Sequence, residues 1–270
     1  GEDHISNTPR QIALFQALGT EVPEFAHLPM ILGPDKSKLS KRHGATSVTE
    51  YGESGLLSDA MFNYLSLLGW SPSDTQEILS VDAIIKDFSL ARVSKSAAIF
   101  DVVKLKWMNG QYLRQLSEEV LWETLIPFLS KETAALLSAY PLETQQKMGK
   151  AIQDNLDYLT DVETYLEVFL LSMDVFKEKV DAIQFKDSDR AVLQRVHDAI
   201  SSEEVAYTSA SLSGLADAIM EELSLGKGKV YKPLRLGCTG MPSGPNLFDV
   251  MEILGQSLVL DRLAYVLASC

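Results

Sequence analysis

The sequence predicts a mainly α-helical protein, and two features of its hydrophobic pattern carry that prediction. From Glu118 to the end, apolar residues recur at the 3.6-residue spacing of a single helix face in almost every segment. Strand-like runs, in contrast, are confined to residues 28–32 and to part of the segment 230–238. The clearest helical segments are 145–159, 162–173, 189–200 and 212–223.

The first hundred residues also show helix boundaries. Pro9 stands at a helix start, and Gly69 follows the end of a later helix. Ser80 and Asp101 each precede a periodic segment, and their side-chain oxygens are suited to accept hydrogen bonds from the free N–H groups of a first helical turn. The apolar faces of the first two helices consist of Ile12, Phe15 and Leu18, and then of Met61, Tyr64, Leu65 and Leu68.

Bulk composition limits the classes of function. The formal net charge is −13, so contact with a nucleic acid has to come from local basic patches rather than from the field of the whole chain. No apolar run approaches the length that a bilayer-spanning helix needs, so we expect no membrane role. The two cysteines, Cys238 and Cys270, have no paired spacing, which fits a reduced intracellular compartment.

Residues 111–200 form the most acidic third of the chain. This stretch is typical of a solvated helical surface, and a surface that faces a protein partner is the alternative. The start, GEDHISNTPRQ, has no methionine, basic region or apolar region, so we expect the chain to be a fragment of a longer one.

The residue inventory gives no sign of several common active sites. The four histidines are isolated from one another and from the cysteines, so we expect no protein-bound metal. No nucleophile elbow, Walker A loop or dinucleotide fingerprint is present in the sequence.

The stretch GPDKSKLSKRHG, residues 33–44, concentrates cations in a segment rich in glycine, proline and serine. A mobile, solvated turn is one interpretation of this composition. The other is a loop whose lysines close over a phosphate group and stabilise the charge that develops on a leaving phosphoryl oxygen.

A second basic cluster surrounds Tyr231 and contains Lys227, Lys229, Lys232 and Arg235. A ring interleaved with cations is the pattern expected for contact with a single-stranded RNA loop. A solvated linker between helices is the alternative, and GKGK at 226–229 favours a flexible turn over a phosphate-binding loop.

Five blocks of sequence, in order, carry a family resemblance. KLSKR at 38–42 resembles the KMSKS signature of class I aminoacyl-tRNA synthetases. Together with its flanks it resembles bacterial-type (including organellar) glutamyl-tRNA synthetase, from this loop through the anticodon-binding region. The blocks are GEDHISNTPRQ, FAHLPMILGPDKSKLSKRHGATSV, NYLSLLGW, RVSKSAAIFDVVKLKWMNGQYL and PLRLGCTG.

The resemblance implies a domain order. Residues 1–44 would be the end of the catalytic nucleotide-binding domain, and residues 45–115 the region that contacts the tRNA acceptor stem. Two all-helical anticodon-binding subdomains would follow, at 116–180 and 181–270.

The resemblance also implies an ATP site around the loop. Lys38 and Lys41 would be catalytic, because they would grip the ATP phosphates while glutamyl-adenylate forms, with Mg²⁺ accompanying the nucleotide. Capping and local hydrogen bonding are the alternative roles for Asp3 and His4. The implied ATP-binding residues are Lys38, Ser40, Lys41, Arg42, Glu2 and His4.

The anticodon would be read further along the chain. Arg235 would contact a base or the backbone, and the turn at 244–247 would let the backbone approach the bases. The implied anticodon-binding residues are Asn155, Arg235, Gly244, Pro245 and Leu247, and the implied backbone-binding residues are Lys227, Lys229 and Lys232.

Two departures from the family pattern qualify these roles. No HIGH-type signature occurs, so we expect the intact parent enzyme, a glutamate–tRNA ligase, to activate glutamate and this fragment alone to be inactive. Asn155 stands where enzymes strict for tRNA-Glu carry an arginine, which predicts that tRNA-Gln is accepted as well.

The expected partners are therefore tRNA-Glu, with ATP and glutamate bound through the full-length enzyme. We expect a monomer in the cytoplasm, or in an organellar matrix or stroma. A non-catalytic helical module that binds RNA or protein is the rival interpretation, and a stand-alone RNA-binding homologue is a third.

Overall fold

The computed structural model describes residues 1–40, 42, 44, 47–202 and 205–269. The chain divides into two compact units, Gly1–Gln115 and Leu116–Cys270. Helices dominate both units, which confirms the predicted mainly α class. The finer boundaries, at 44/45 and 180/181, stay predictions.

The first unit contains five helices and two short strands within its described part. Single 3-10 turns lie at Glu2–His4 and Leu90–Arg92. The elements are α1 (Thr8–Ala17), β1 (Ile31–Leu32), α2 (Val48–Glu53), α3 (Ser58–Leu67), α4 (Val81–Asp87), β2 (Ala98–Ile99) and α5 (Val102–Leu113).

The core of the first unit lies between α3 and α5. Met61 and Tyr64 of α3 and Leu105 and Met108 of α5 are buried there. β1 and β2 pair in parallel, which brings the segment that carries the basic loop beside the start of α5. The Tyr64 hydroxyl accepts the backbone N–H of Asp101 at 2.6 Å, a bond that fixes α5 against α3.

Two predicted helix starts in this unit are confirmed. The Ser80 hydroxyl accepts the backbone N–H of Ala83 at 3.2 Å where α4 begins. The Asp101 carboxylate accepts the N–H groups of Val103 and Lys104 at 2.9 and 3.1 Å where α5 begins. The sequence locates these starts because a capping side chain and the helix that it caps are adjacent in the chain.

The second unit contains ten helices within its described part. Short 3-10 turns follow α6 (Ile126–Phe128) and α8 (Gln153–Asn155), and a third precedes α9 (Leu159–Asp161). The helices are α6 (Glu118–Leu125), α7 (Lys131–Leu137), α8 (Leu142–Ile152), α9 (Val162–Leu170), α10 (Met173–Asp181), α11 (Asp187–Ser201), α12 (Ser209–Glu222), α13 (Lys227–Thr239), α14 (Leu247–Leu254) and α15 (Gln256–Ala268).

The largest core of the second unit lies where α11 packs against α13 and α15. Close approach of α13 to α11 requires a glycine, because a Cβ at Gly237 would lie 2.9 Å from Leu193 Cδ2. Gly149 has the same function between α8 and α6, where a Cβ would lie 2.8 Å from Trp122 Cε3.

Arg262 of α15 is fully buried in this unit, with 0% of its surface exposed. Its Nη1 donates to the Cys238 carbonyl at 2.8 Å and its Nη2 to the Leu171 carbonyl at 3.0 Å. The guanidinium carbon lies 4.8 Å from the centre of the Phe176 ring. One side chain thus joins the end of α9 to the last turn of α13.

The predicted strand within 230–238 is wrong, because this segment lies inside α13. Val230, Leu234 and Cys238 are buried at four-residue intervals, which is the period of a helix face. Pro233 lies within the helix although proline is unfavourable in a helix interior. The expected flexible turn at 226–229 is likewise the cap and first turn of α13.

Two predicted helices are shorter than the pattern indicates. The helix expected at 145–159 ends at Ile152, and the one expected at 162–173 ends at Leu170 before α10 begins at Met173. The apolar face expected on α1 is only partly covered within the described structure, because Ile12 and Phe15 are half-buried whereas Leu18 is 76% exposed. Among the described residues, no helix combines the length and apolarity needed to cross a bilayer.

Candidate nucleotide and nucleic-acid sites

The basic loop leaves β1 as a tight turn fixed by its own backbone. The N–H of Gly33 donates to the Ser37 carbonyl at 2.8 Å, and the N–H of Leu39 donates to the Ile31 carbonyl at 3.1 Å. Asp35 supports the turn from inside, because its Oδ1 accepts both the N–H and the hydroxyl of Ser37 at 2.9 and 2.7 Å. Lys36 adopts a φ of 62°, so the backbone turns sharply in the middle of the loop.

Lys38 and Asp3 join the loop to the turn at the start of the chain. Lys38 Nζ donates to Asp3 Oδ2 at 2.9 Å, across 35 positions of sequence. The hydrogen bond from Lys38 holds the pKa of the Asp3 carboxyl below its usual value. Both side chains remain accessible, at 67% exposed for Lys38 and 38% for Asp3. The Lys38 ammonium therefore lies at the surface beside a carboxylate that an incoming anion could replace.

Three predicted residues of the loop remain, namely Arg42, Ser40 and Lys41. Arg42 Nη2 lies 3.2 Å from Asp35 Oδ2 and also contacts the Ser37 hydroxyl, so Arg42 fixes the turn. Ser40 is exposed. Lys41, the other residue expected to be catalytic, lies outside the described residues.

Glu2 and His4 lie in the first 3-10 turn and make local contacts. The Glu2 carboxylate accepts the N–H of Met30 at 3.3 Å, and its own N–H donates to the Leu28 carbonyl at 2.8 Å. His4 Nδ1 lies 3.4 Å from the Asn7 amide nitrogen. Glu2 thus holds this turn beside the segment that leads into β1.

The loop between α13 and α14 carries two of the five predicted anticodon residues, Gly244 and Pro245, and Arg235 of α13 contacts it. Arg235 Nη2 donates to the Pro245 carbonyl at 2.7 Å, while its Nη1 is buried without a hydrogen-bond partner in the described structure. Burial lowers the pKa of the Arg235 guanidinium from its usual value. Gly240, at a φ of 67°, ends α13, and Gly244 has a φ of 144°. Any residue other than glycine would strain the backbone at both positions.

Asn155 faces the start of α14 across a cavity of ≈ 420 Å³. Asn246 lies on the opposite wall, where its Oδ1 caps α14 by accepting the N–H of Phe248 at 2.9 Å. Lys147 and Lys150 add cations to the cavity wall, and Asp154 and Asp249 are among its anions. Leu247, in contrast, is buried at the first position of α14. The structure therefore brings Asn155 to the same cavity as Asn246, the residue between Pro245 and Leu247.

A smaller cavity of ≈ 210 Å³ is lined by residues 241–245 and by α9. Tyr165 and Val168 of α9 line it, together with Lys179, whose Nζ lies 3.1 Å from Glu167 Oε1. The loop between α13 and α14 therefore contributes residues to both cavities, Asn246 to the first and 241–245 to the second.

Lys227, Lys229 and Lys232 lie on the first two turns of α13 and are exposed. The Lys227 ammonium lies 4.8 Å from the centre of the Tyr231 ring. No group of three or more His, Cys, Asp or Glu suited to a metal ion occurs within the described ranges.

Comparison with protein families assigns both units. Residues 1–107 match the catalytic domain of class I tRNA synthetases (E and Q), and residues 120–267 match an anticodon binding domain. The chain belongs to the family of this anticodon binding domain, whose model matches more than half of its residues. This confirms the family resemblance of the five sequence blocks.

Individual relatives agree with this assignment. The chain is 39% identical over 264 residues to "Glutamate--tRNA ligase 2" of Thermoanaerobacter pseudethanolicus, covering 97% of this chain and 54% of the relative. It is 40% identical over 268 residues to "Glutamate--tRNA ligase" of Moorella thermoacetica, covering 97% and 54%. The chain thus spans about half the length of the curated relatives that it matches.

A crystal structure of a glutamate tRNA ligase from Elizabethkingia meningosepticum, in complex with its amino acid, has the same fold. The TM-score is 0.77 at 30% sequence identity, over 99% of this chain and 56% of that one. The likeness supports a glutamyl-tRNA synthetase fold across both units.

Two residues at these candidate sites have contacts that the sequence does not predict. Asp3 is one of them, because nothing in the sequence indicates its contact with Lys38 across 35 positions. Asn246 went unnoticed, although an Asn that precedes the apolar run LFDVMEIL is a recognisable cap signal.

Proposed function

We propose that this chain is the part of a glutamate–tRNA ligase that holds the ATP phosphates and binds tRNA-Glu. The observation that supports the proposal is the match of residues 120–267 to an anticodon binding domain, in which Asn155 and Asn246 line one cavity and residues 241–245 line another. The catalytic-domain match over 1–107, which contains the Lys38 loop, supports the enzymatic part.

In the intact enzyme, a carboxylate oxygen of glutamate attacks the α-phosphorus of ATP, glutamyl-adenylate forms, and pyrophosphate leaves. Lys38 and Lys41 would neutralise the negative charge that grows on the leaving pyrophosphate. Lys38 would exchange its Asp3 carboxylate for a phosphate oxygen at the same ammonium. Ser40 and Arg42 would shape the loop, Glu2 and His4 would line the nucleotide, and Mg²⁺ would arrive with ATP.

Arg235 and the 240–247 loop would read the anticodon. Arg235 has five N–H donors, and the bond to the Pro245 carbonyl uses only one nitrogen. Its unpartnered Nη1 lies 3.6 Å from the position of a Cβ on Gly244, so an unpaired base that reaches Gly244, Pro245 and Leu247 would come within its range. Lys227, Lys229 and Lys232 would hold the RNA backbone.

Binding of tRNA to the 270-residue chain tests this proposal. We expect a tRNA-Glu transcript to bind with strong salt dependence, since lysine contacts to phosphates release counterions. Arg235→Ala should weaken binding by about 1–3 kcal/mol, as expected for loss of a base contact. Lys131→Ala, which removes an exposed cation from α7, should leave the affinity unchanged. Negligible binding of the wild-type chain at low salt would instead favour a protein-binding helical module.

Aminoacylation chemistry is tested separately, by ATP–pyrophosphate exchange. Since the chain spans about half the length of its relatives, we expect the 270 residues alone to show no exchange and the full-length enzyme to be active. Robust exchange by the 270 residues would contradict this view. In the full-length enzyme, Lys38→Ala and Lys41→Ala should lower the rate of exchange more than Lys36→Ala.

We further propose that tRNA-Gln is accepted. The Asn155 amide both donates and accepts hydrogen bonds, so it discriminates between bases less than a guanidinium, which only donates. Asn155→Arg should therefore increase the preference of the full-length enzyme for tRNA-Glu over tRNA-Gln. Failure of the wild-type enzyme to charge tRNA-Gln would remove this proposal. A monomeric enzyme of the cytoplasm, or of an organellar matrix or stroma, completes the proposed function.

A further inference from the structure

A cavity of ≈ 580 Å³ lies on the second unit between the start of α11 and the start of α13. Its wall includes Ile183, Phe185, Pro233 and Leu236, which are buried or half-buried. Asn155 and the residues 240–247 do not line it. Along α13, Lys229 is ten residues from Thr239, which is about 15 Å at the rise of an α-helix. The cavity is thus separate from the places assigned to anticodon reading.

Four lysines surround the apolar wall. They are Lys186, Lys227, Lys229 and Lys232, and all four are exposed. None of them forms an ion pair with a carboxylate in the described part of the chain. The one carboxylate in the lining, Asp189, accepts the backbone N–H of Lys186 at 2.9 Å. In a protein with a net charge of −13, this is a local excess of positive charge around an opening.

The backbone of α13 adds features that suit a planar, polar ligand. Gly226 and Gly228 present no side chains, and a Cβ added to either would meet open space. Pro233 has no N–H to donate to the Lys229 carbonyl four residues earlier, so the helix lacks one hydrogen bond beside the cavity. The wall therefore combines the flat apolar ring of Phe185, the Lys229 carbonyl without its usual helical donor, and the ammonium groups of the four lysines at the rim.

We propose that this cavity binds one unpaired nucleotide of a bound RNA. The phosphate would lie against Lys229 and Lys232, and the base would lie on Phe185 and Pro233. Lysine ammonium groups bind phosphate as point charges, and bases that are not stacked in a duplex bind apolar and aromatic side chains. This inference rests on the proposed tRNA-binding function, and it adds a nucleotide site beyond the anticodon-reading loop.

Cross-linking locates the nucleotide directly. The probe is a hairpin with the anticodon stem and loop of tRNA-Glu, in which each unpaired position in turn carries 5-bromouridine. Irradiation of its complex with the 270-residue chain should give, for at least one position, an adduct at Phe185 or Pro233, which line this cavity and have no role in the proposed anticodon reading. Adducts confined to Asn155, Arg235 and the 240–247 loop would overturn the inference and leave the proposed function intact.

A variant that fills the cavity without changing charge measures the contribution of the base. Gly228→Phe should weaken binding of the hairpin about tenfold, the effect of losing one stacked base. Gly214→Phe is the matched control, because Gly214 is an exposed glycine of α12 with open space around its Cβ position. Circular dichroism checks that both variants are folded. Equal affinity of wild-type and Gly228→Phe chains would overturn the inference.

Two further measurements complete the test. The first distinguishes a nucleotide within RNA from a free nucleotide, and the second distinguishes failure of this inference from failure of the proposed tRNA-binding function. Free uridine monophosphate should compete with the hairpin more strongly than inorganic phosphate does, because it supplies the base as well as the phosphate, but much more weakly than unlabelled hairpin does. Competition by the free nucleotide as strong as that by unlabelled hairpin would overturn the assignment to RNA. If the wild-type chain binds the hairpin no better than a blunt RNA duplex, the proposed tRNA-binding function fails, and this inference fails with it.

Discussion

At the scale of single residues, the pKa of Asp3 reports whether Lys38 of the basic loop contacts it. The hydrogen bond from Lys38 favours the charged form of Asp3, so the pKa of Asp3 is lowered in the folded protein. The stability that this pair contributes is complete above the unfolded pKa of about 3.9 and is lost as the pH falls through the lowered folded pKa.

A titration followed by carboxyl-carbon NMR checks this. Asp3 should titrate below the value of an ordinary aspartate, and Lys38→Ala should move its pKa back upward. Lys36→Ala removes a neighbouring charge of the same loop that does not contact Asp3, so it should leave the pKa of Asp3 nearly unchanged. Equal shifts in the two variants would mean that the general field of the loop, rather than the contact, lowers the pKa.

Arg262 carries the second prediction at this scale. Its two bonds to carbonyls are charge-assisted, and Arg262→Met would leave both acceptors buried without a donor. Because methionine also removes the cost of burying a charge, we expect a net loss of about 2–4 kcal/mol in the free energy of unfolding. Arg262→Lys keeps the charge but cannot reach both carbonyls, so its free energy of unfolding should lie between those of the wild type and of Arg262→Met. Urea denaturation measures all three, and a Met variant as stable as wild type would contradict the prediction.

At the scale of elements, α13 shows where sequence patterns suffice and where they do not. The caps at Ser80 and Asp101 were predictable because the cap and its helix are neighbours in the chain. The helical state of 230–238 was not, because Pro233 is unfavourable in a helix interior. Packing decides the outcome, since Val230, Leu234 and Cys238 are buried together in the core of the second unit.

The packing of α13 on α11 gives the third prediction. Gly237→Ala would place a methyl group 2.9 Å from Leu193 Cδ2, in a core where Leu193 is fully buried. Overpacking costs about 1–3 kcal/mol, and the better helix propensity of alanine returns about 1 kcal/mol. We therefore expect a net destabilisation of up to about 2 kcal/mol by urea denaturation. Gly214→Ala, on the exposed side of α12, should instead stabilise by up to about 1 kcal/mol.

Sequence patterns predict some residues of the candidate sites but not the contacts between them. The lysines of both basic segments stand out by composition alone, and the family resemblance directs attention to Arg235 and Asn155. The Asp3–Lys38 pair, and the shared cavity of Asn155 and Asn246, depend on contacts between distant segments. No local pattern encodes such contacts, so only the fold reveals them.

At the scale of the whole molecule, the division after Gln115 predicts that the second unit folds alone. Its core runs from Leu171 to Val266 without a residue from the first unit. A chain of residues 116–270 should therefore show helical circular dichroism and one cooperative unfolding transition. A chain of residues 181–270 is the control, because it lacks Leu171 and Phe176, which contact Arg262. If the longer piece is unfolded, the two units are not independent.

The bonds of Arg262 have a consequence for the order of folding events. They join this residue to Leu171 and Cys238, which lie 91 and 24 positions away in the chain. Because such contacts close long loops at a cost in entropy, we expect them to form after the rate-limiting barrier of folding. Arg262→Met should then accelerate unfolding in stopped-flow experiments while leaving the refolding rate almost unchanged. That result would mean that the buried guanidinium determines how long the native state persists once it has formed.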